Sequence, residues 1–363
     1  MRSWIPYLLI LKTIMLCWST VAYSQAYQYH RVYQSPYYLG RGDTGIAIAD
    51  EQHALFYNPA GLAYGKGIYK KWVLATPTVG GSMAARDLAR KLEVEEAPER
   101  DALMAAIGQP QHIFINATTA IVLRRAAIGA FSQNAADILV AKSKESRGLE
   151  SVKASLLSDQ GLVFGVAEKI FSDSFMVGVG VKILQRGFVE TEVGLLDSDA
   201  LATLKEEGSL TAGDGTAIDV GLMWRGSGRR PMSLGLTVEN VGNTPFTAAI
   251  PDQELDPMLQ TVNFGFAVEP GTRFSKLRLL IDYRDLTGAL GKQPIENLRL
   301  GTEISMKDYL GFTTGIHDGY FSGGAYVDVR FLRFDIGAYT KEVGAFPGNR
   351  PDSRFFFQIQ LAL

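Results

Sequence analysis

The sequence predicts an all-β fold, an antiparallel transmembrane β-barrel of about 14 strands. Three observations favour this fold. Apolar and polar residues alternate through most of the chain, the connections between alternating segments are long and short in turn, and the chain ends in an alternating aromatic segment. A secreted chain without a long apolar helix can span a membrane as a closed barrel, because barrel strands satisfy one another's backbone hydrogen bonds.

Residues 1–24 have the features of a secretory signal peptide. A basic residue precedes an apolar run at 4–11, and small residues at the −3 and −1 positions predict cleavage before Gln25. The run is too short for a membrane anchor of roughly 20 apolar residues. Cleavage removes Cys17, the only cysteine of the chain. The mature protein is therefore predicted to form no disulfide and to use no cysteine nucleophile.

Composition excludes several classes of function. The chain has 363 residues, a formal net charge of −2 and 20% charged residues, so we expect no polybasic surface and no nucleic-acid partner. The four histidines show no metal-ligand spacing, and no G-x-S-x-G motif is present. We therefore expect a protein that is not an enzyme and that binds no metal and no cofactor.

Period-two alternation predicts the strands. In one segment, Leu277, Leu279 and Ile281 share a face, whereas Arg278 and Asp282 lie on the other. Each segment is close to the roughly 9–11 residues that a tilted transmembrane strand needs. The predicted strands lie near residues 68–79, 111–124, 126–140, 153–170, 174–189, 214–225, 231–240, 259–269, 275–285, 297–306, 308–317, 322–331, 333–341 and 354–363.

The connections support a barrel in an outer membrane. Those after even-numbered strands are short, and only the joint at 318–321 breaks the alternation of long and short. An even number of strands, with long extracellular loops and short periplasmic turns, is typical of bacterial outer-membrane barrels. The long connections are predicted at 80–110, 141–152, 190–213, 241–258, 286–296 and 342–353.

The last segment, 354–363, places its aromatic and aliphatic residues on one face and Gln358 and Gln360 on the other. It resembles the C-terminal signal read by the outer-membrane insertion machinery, with leucine in place of the usual terminal phenylalanine. The alternative is an ordinary last strand of a soluble β-sandwich, which requires a second sheet for the remaining strands.

Charged residues recur on the polar faces of the strands, which we expect to face the lumen. Because buried charges need partners, the sequence predicts salt bridges across neighbouring strands. These charges either pack the lumen, which we favour, or line a conduction path. The residues are Lys182, Arg186, Asp219, Glu239, Glu269, Arg278, Asp282, Arg284, Arg299, Glu303, Asp328, Arg330 and Asp335.

The mature N-terminus carries a recognisable motif. It reads Thr-Gly-Ile-Ala-Ile-Ala-Asp at 44–50, followed by Ala54 and by Asn-Pro-Ala-Gly-Leu at 58–62. This pattern resembles the signature of the FadL-like long-chain fatty-acid transporter superfamily of outer-membrane β-barrels, which includes PorV-type and TraF-like relatives. The resemblance implies that residues 25–65 form a hatch that plugs the lumen from the periplasmic side. Residues 66–363 then form the transmembrane barrel in the bacterial outer membrane.

The resemblance also implies a function, the uptake of hydrophobic, fatty-acid-like small molecules with lateral exit into membrane lipid. In such transporters a kink in the third strand opens the wall beside the Asn-Pro-Ala turn. Here alternation is lost in that strand, which predicts a bulge at Asn134, Ala135, Ala136 and Asp137. The alternative is the polar extracellular end of an ordinary strand. The predicted hatch and ligand-path residues are Phe56, Asn58, Pro59, Ala60 and Gly61.

The connection 80–110 has helical spacing that Pro98 interrupts. Its apolar residues predict either a groove for a lipid-like ligand at the cell surface or a lid on the rim. A second helical piece is predicted at 198–205. The predicted groove residues are Leu88, Leu92, Leu103 and Ile107.

A second function fits the same motif. The segments 238–243 and 282–286 resemble the PorV-type and TraF-like relatives more than the fatty-acid transporters. The alternative function is therefore an outer-membrane component of a protein secretion or assembly system, whose partner is a secretion-system protein rather than a hydrophobic small molecule.

Overall fold

Fourteen antiparallel strands close into a barrel, which confirms the predicted fold class. The computed structural model describes residues 31–64, 69–93, 104–142, 150–194, 211–228, 230–250, 254–271, 275–307, 309–329, 331–344 and 347–363. The strands are β1 (Tyr69–Ala75 and Thr78–Ser82), β2 (Pro110–Leu123), β3 (Ala126–Lys142), β4 (Glu150–Lys169), β5 (Phe175–Gly194), β6 (Thr211–Arg225), β7 (Met232–Glu239), β8 (Thr261–Val268), β9 (Ser275–Tyr283), β10 (Leu298–Met306), β11 (Leu310–His317), β12 (Tyr320–Val329), β13 (Leu332–Glu342) and β14 (Pro351–Ala362).

The barrel closes between its first and last strands. Both halves of β1 pair with β2 on one side and with β14 on the other, so the two halves form one interrupted barrel strand. A short additional strand, Thr247–Ala248, pairs with β6 and with no other strand of the described residues. Apart from the pairing of β1 with β14, each strand of the barrel wall pairs with the strands that precede and follow it in sequence. All predicted strands are present, with boundaries shifted by a few residues. They could be predicted because successive side chains of a strand point to the two different faces of the wall, which produces the alternation.

The helices of the described residues are short. They are α1 (Pro36–Gly40), α2 (Ala54–Tyr57), α3 (Met83–Glu93) and α4 (Pro294–Asn297), with 3₁₀ turns at Glu51–His53 and Pro59–Ala63. In the part of the chain that the structure describes, no helix is long and apolar enough to cross a membrane. The helix α3 confirms the helical character predicted for the connection 80–110, whereas 198–205 lies outside the described residues.

The two faces of the wall differ in polarity. In β14, Phe357 and Leu361 face outward and are exposed, whereas Arg354, Gln358 and Gln360 face inward and are buried. The same alternation holds in β6, where the apolar side chains point out and Asp219 is buried inside. An apolar outer face and a polar lumen are what a transmembrane barrel requires.

The predicted salt bridges are present across neighbouring strands. Lys182 Nζ lies 2.7 Å from the Asp219 carboxylate, and Arg186 binds both carboxylate oxygens of Asp159 at 2.7–2.8 Å. Arg278 forms an ion pair with Glu269. Both residues belong to a longer network of ion pairs along the lumen. These contacts favour the interpretation that the charges pack the lumen. Of the predicted lumen charges, Arg330 lies outside the described residues.

A charge on the outer face tests the membrane-facing assignment. Leu279 lies midway along β9 and points outward, so Leu279→Arg should lower the free energy of unfolding from lipid vesicles by about 2–4 kcal/mol. Tyr309→Arg, at an exposed short turn, should cost only about 0–1 kcal/mol, because charges near the interface remain hydrated. Urea titrations measure both values, and equal losses would contradict the assignment.

Candidate functional site

Residues 31–64, which we call the inner segment, lie inside the barrel. The backbone N–H of Gly42 donates to Ser322 Oγ on β12 at 3.0 Å, and Asn58 Nδ2 donates to the Leu222 carbonyl on β6 at 3.1 Å. These contacts reach opposite parts of the wall. Nearly every residue from 32 to 63 is buried, and Ile46 is wholly inaccessible.

Asp43 is the centre of one ion-pair cluster between the inner segment and the wall. Its carboxylate accepts hydrogen bonds from Arg299 of β10, from Tyr57, and from Arg31 at 3.1 Å. Arg284 also donates to the Asp43 carbonyl oxygen at 3.1 Å. Burial alone raises the pKa of the Asp43 carboxyl, but Arg299 and Arg31 outweigh burial and hold that pKa well below its usual value. Asp43 is therefore a buried anion that the surrounding arginines keep charged.

Glu303 of β10 is the centre of a second cluster, in which the acid comes from the wall. Arg41 of the inner segment donates to its carboxylate at 2.7 Å, and Arg278 donates at 3.1 Å. The hydroxyls of Tyr37 and Tyr326 complete the cluster at 2.5 and 3.0 Å. Charge-assisted bonds of this kind are roughly twice as strong as neutral ones, so the cluster ties the inner segment to β9, β10 and β12.

A third contact joins the backbone of the motif at 44–50 to the wall. The carboxylate of Asp282 on β9 accepts from the N–H groups of Gly45 and Ile46 at 2.7 and 3.1 Å. Gly45 packs against the ring of Tyr38, where an added Cβ would lie 2.3 Å from a ring carbon. Glycine at position 45 is therefore needed for the packing of the motif against Tyr38 within the inner segment.

The predicted residues Asn58, Pro59 and Ala60 form a tight turn against β5 and β6. The Asn58 side chain caps the following 3₁₀ turn by accepting from the Ala60 N–H at 3.1 Å, and it donates to the Ile46 carbonyl at 2.9 Å. Two wall glycines make room for this turn. An added Cβ would lie 2.4 Å from Ala60 N at Gly178 and 2.1 Å from Asn58 Oδ1 at Gly221.

The two other predicted hatch residues pack within the same segment. Gly61 approaches so closely that an added Cβ would lie 1.8 Å from the carbonyl oxygen of Ala49. Phe56 lies between Tyr33 and Phe131 of β3, with ring centroids at 4.6 and 5.7 Å. The side of the inner segment that faces β1 to β4 is thus mainly apolar, with one ion pair between Glu51 and Lys71 of β1 at 2.7 Å. The side that faces β9 to β12 carries the buried ion-pair clusters.

The predicted bulge at Asn134, Ala135, Ala136 and Asp137 is wrong. The register of β3 with β2 and with β4 continues through these residues without a shift. Asn134 bonds to its strand neighbours Ser132 and Ser158 at 3.1 and 2.8 Å, so polar side chains satisfy one another on an ordinary strand. The Asn58–Ala60 turn, which the resemblance places beside the third strand, packs instead on β5 and β6.

The structure places an irregularity in β1 instead. The register with β2 and with β14 shifts between Val73 and Thr78, where Thr76 and Pro77 interrupt the strand. Thr76 keeps contact with the wall through its N–H, which donates to the Thr118 carbonyl at 2.9 Å. Thr118 pairs in turn with Phe131. The interruption of β1 therefore lies next to the apolar side of the lumen.

The predicted surface groove is only partly within the described residues. Leu88 of α3 packs against Val140, Val152 and Ala106, which favours a lid on the rim over an open groove. Ile107 is exposed and is not part of that cluster. Leu103 and the side chain of Leu92 lie outside the described residues.

A cavity of about 100 Å³ lies between the inner segment and the end of the barrel with long connections. Leu39 lines it from the inner segment, and Leu290 and Lys292 line it from the connection that follows β9. Wall residues at the ends of β11, β13 and β14 complete it, including His317 and Lys341. Sequence reasoning missed this cavity, because its walls come from segments far apart in sequence.

The architecture defines a bacterial outer-membrane β-barrel whose N-terminal segment lies in the lumen. No protein-family model matches the sequence, and no curated protein matches it. Solved structures do. The chain resembles the Ralstonia pickettii toluene transporter TbuX with a TM-score of 0.53 at 13% identity, over 90% of this chain and 97% of TbuX.

Two mutants of TodX, a monoaromatic hydrocarbon channel from Pseudomonas putida, give similar results. The deltaS2S3 mutant has a TM-score of 0.53 at 10% identity, over 92% of this chain and 99% of that chain. The deltaS2 mutant has a TM-score of 0.51 at 11% identity, over 92% and 98%. At these identities the likeness establishes the fold. The chain has the FadL-like barrel fold that its N-terminal motif predicted.

Neutralising the buried anion should loosen the inner segment. Asp43→Asn leaves Arg31 and Arg299 with uncompensated buried charge, so the free energy of local opening of residues 36–48 should fall by about 3–5 kcal/mol. Hydrogen exchange of the backbone amides measures this quantity. The matched control is Glu168→Gln, which removes an exposed pair with Arg125 and should cost at most about 1 kcal/mol. Unchanged protection in Asp43→Asn would contradict the role of this cluster.

Two glycines of one strand and one face allow a sharper steric test. Gly178→Ala should displace the Asn58–Ala60 turn, because the added methyl group overlaps its backbone, at a cost of about 1–3 kcal/mol. Gly180→Ala should be tolerated, since its Cβ meets only ordinary contacts at 3.7–3.8 Å. Limited proteolysis within residues 31–64 should distinguish them. Equal cleavage rates in both variants would show that the turn is not held at Gly178.

Proposed function

We propose that the protein is a non-catalytic outer-membrane channel for hydrophobic, fatty-acid-like small molecules, with residues 25–65 acting as a hatch. Two observations support the proposal. The fold is shared with a toluene transporter and a monoaromatic hydrocarbon channel, and the lumen has an apolar side. The single observation that carries it is the aromatic cluster of Tyr33, Phe56 and Phe131, which offers a hydrophobic molecule contacts that a water-filled pore lacks.

The route we propose follows that apolar side of the lumen. The opposite side is closed by buried ion pairs, and an apolar molecule that displaced them would leave charges without partners. The apolar side leads from Phe131 toward the interruption of β1 at Thr76 and Pro77. We propose this interruption, rather than β3, as the place of lateral exit into membrane lipid. Passage then requires that the inner segment shift away from β1 to β4.

A reversible cross-link between the inner segment and the wall tests the hatch. The Cβ of Pro59 lies 3.8 Å from the position of a Cβ at Gly180, which is the mean separation in a disulfide, about 3.8 Å. The mature chain is predicted to contain no other cysteine. In vesicles containing the Pro59→Cys/Gly180→Cys variant, oxidation should abolish toluene entry and reduction should restore it. Each single-cysteine variant is the control and should not respond to the oxidant.

The outcomes separate the proposed functions. Entry through the oxidised variant at the wild-type rate would contradict movement of the hatch. If instead no variant, including the wild type, admits toluene, and a protein co-purifies from native outer membranes, the alternative function in secretion or assembly is favoured. The hydrophobic channel predicts lipid or detergent in the lumen of the purified protein, which mass spectrometry detects.

A further inference from the structure

The outer face of the barrel carries one group of uncharged polar side chains on β3, β4 and β5. Within the described strands β7 to β12, by contrast, no carboxamide points outward, and the outward residues are mostly aliphatic or aromatic. The group is therefore a feature of one side of the wall. We call it the polar island, and it consists of Ser132, Asn134, Ser158, Gln160 and Gln185.

Strand register brings the polar island together. Ser132 of β3 pairs with Gln160 of β4, which pairs in turn with Gln185 of β5, so these three side chains form one row across the wall. Asn134 pairs with Ser158 in the next row on the same face, because side chains on one face of a strand are two residues apart. The polar side chains are thus contiguous on the outer surface.

Apolar side chains flank the polar island along the strands and on the side of β2. On β4, Leu162 lies on one side of it and Leu156 on the other, and both are exposed. On β2, Ile115 pairs with Asn134 and is exposed on the same face. Toward β6 the polar row continues to Asp214. The island therefore interrupts the apolar outer surface and is not the edge at which that surface ends.

The two glutamines of the island lie at nearly the same depth in the membrane. Counted from Lys169, at the end of β4 with the short connection, Gln160 is the tenth residue. Gln185 is the eleventh residue of β5, counted from Phe175 at the same end. Because roughly 9–11 residues of a tilted strand cross the membrane, both lie toward the outer boundary of the hydrocarbon. A polar group without a protein partner is costly there, since hydrocarbon forms no hydrogen bonds.

The hydrogen bonds within the island leave part of its capacity unused. Ser158 Oγ donates to Asn134 Oδ1 at 2.8 Å, and Asn134 Nδ2 donates to Ser132 Oγ at 3.1 Å. Gln160 Nε2 donates to Gln185 Oε1 at 3.0 Å. Among the described residues, Gln160 Oε1 and Gln185 Nε2 have no partner. One exposed acceptor and one exposed donor group therefore remain side by side on the lipid-facing surface.

We propose that the polar island is the centre of a contact between two copies of this chain. A free acceptor beside a free donor makes the island complementary to itself. Across a two-fold axis along the membrane normal, Gln160 Oε1 accepts from Gln185 of the partner subunit, and the second copy makes the same bond in return. Such an axis joins groups of equal depth, as the glutamines are. The short side chains of Ser132 and Ser158 allow the two walls to approach closely.

The composition of the island favours a second copy over a lipid headgroup. Anionic headgroups are recognised by lysine and arginine side chains, and the island contains neither. Carboxamides and hydroxyls, which both donate and accept, are the side chains that join protein surfaces to each other within membranes. The contact does not rest on the proposed channel, so failure of toluene entry would leave it unaffected.

Cross-linking in intact outer membranes tests the contact, because the mature chain is predicted to contain no cysteine. With Gln185→Cys as the only cysteine, a short bifunctional maleimide should produce a species of twice the monomer mass. Leu279→Cys is the matched control, since Leu279 is also exposed on the outer face but lies on β9. Equal yields of this species in the two variants, or its absence from both, would overturn the proposal.

A second measurement uses the purified mature protein in detergent. Gln160→Leu/Gln185→Leu keeps the side-chain size but removes the hydrogen bonds, each of which a two-fold axis loses twice, so the Kd of the dimer should rise at least tenfold. Analytical ultracentrifugation measures this Kd. The control Thr302→Leu/Thr314→Leu replaces two paired outward residues of β10 and β11 and should leave it unchanged. A monomeric wild type, or an unchanged Kd in the glutamine variant, would overturn the contact at the island.

Discussion

A charge buried inside a barrel needs a partner, and this requirement determines how the inner segment is held. Asp43 and Glu303 are both almost inaccessible to solvent, yet one belongs to the inner segment and the other to the wall. Each is surrounded by arginines, so removing the segment would leave charges of both signs uncompensated. The inner segment and the wall are therefore one electrostatic unit, and neither reaches a satisfied state alone.

The two sides of the lumen differ in the kind of contact that they make with the inner segment. Toward β9–β12 the contacts are buried, directional hydrogen bonds and ion pairs. Toward β1–β4 they are mainly apolar packing, and the ion pair there, Glu51 with Lys71, is partly exposed. Apolar packing can be replaced by another apolar surface at little cost, whereas ion pairs require a partner with the correct geometry. This asymmetry makes one side an anchor and the other a surface along which a hydrophobic molecule can be exchanged.

Much of the fold could be predicted from the sequence, because apolar and polar residues alternate along a strand that has lipid on one face and the lumen on the other. The last strand and the short turns were predicted from pattern alone. The bulge predicted at 134–137 was wrong, since small polar residues on a strand end satisfy one another in register. The Thr76–Pro77 dipeptide was the available signal for the true irregularity, because proline lacks the N–H that a continuous strand requires. The Asp43–Arg299 pair spans 256 positions, and no local pattern indicates such a contact.

Closure of the barrel between β1 and β14 has a consequence for assembly. β1, the strand that follows the inner segment in sequence, has both edges paired only after the last strand, β14, has been placed. Contacts of such long range are slow to form, and an unpaired edge invites association with other chains until they do. The sheet must therefore curve around the N-terminal inner segment before β1 pairs with β14. Whether the lumen is filled thus depends on the order of the folding steps as well as on the stability of the final structure.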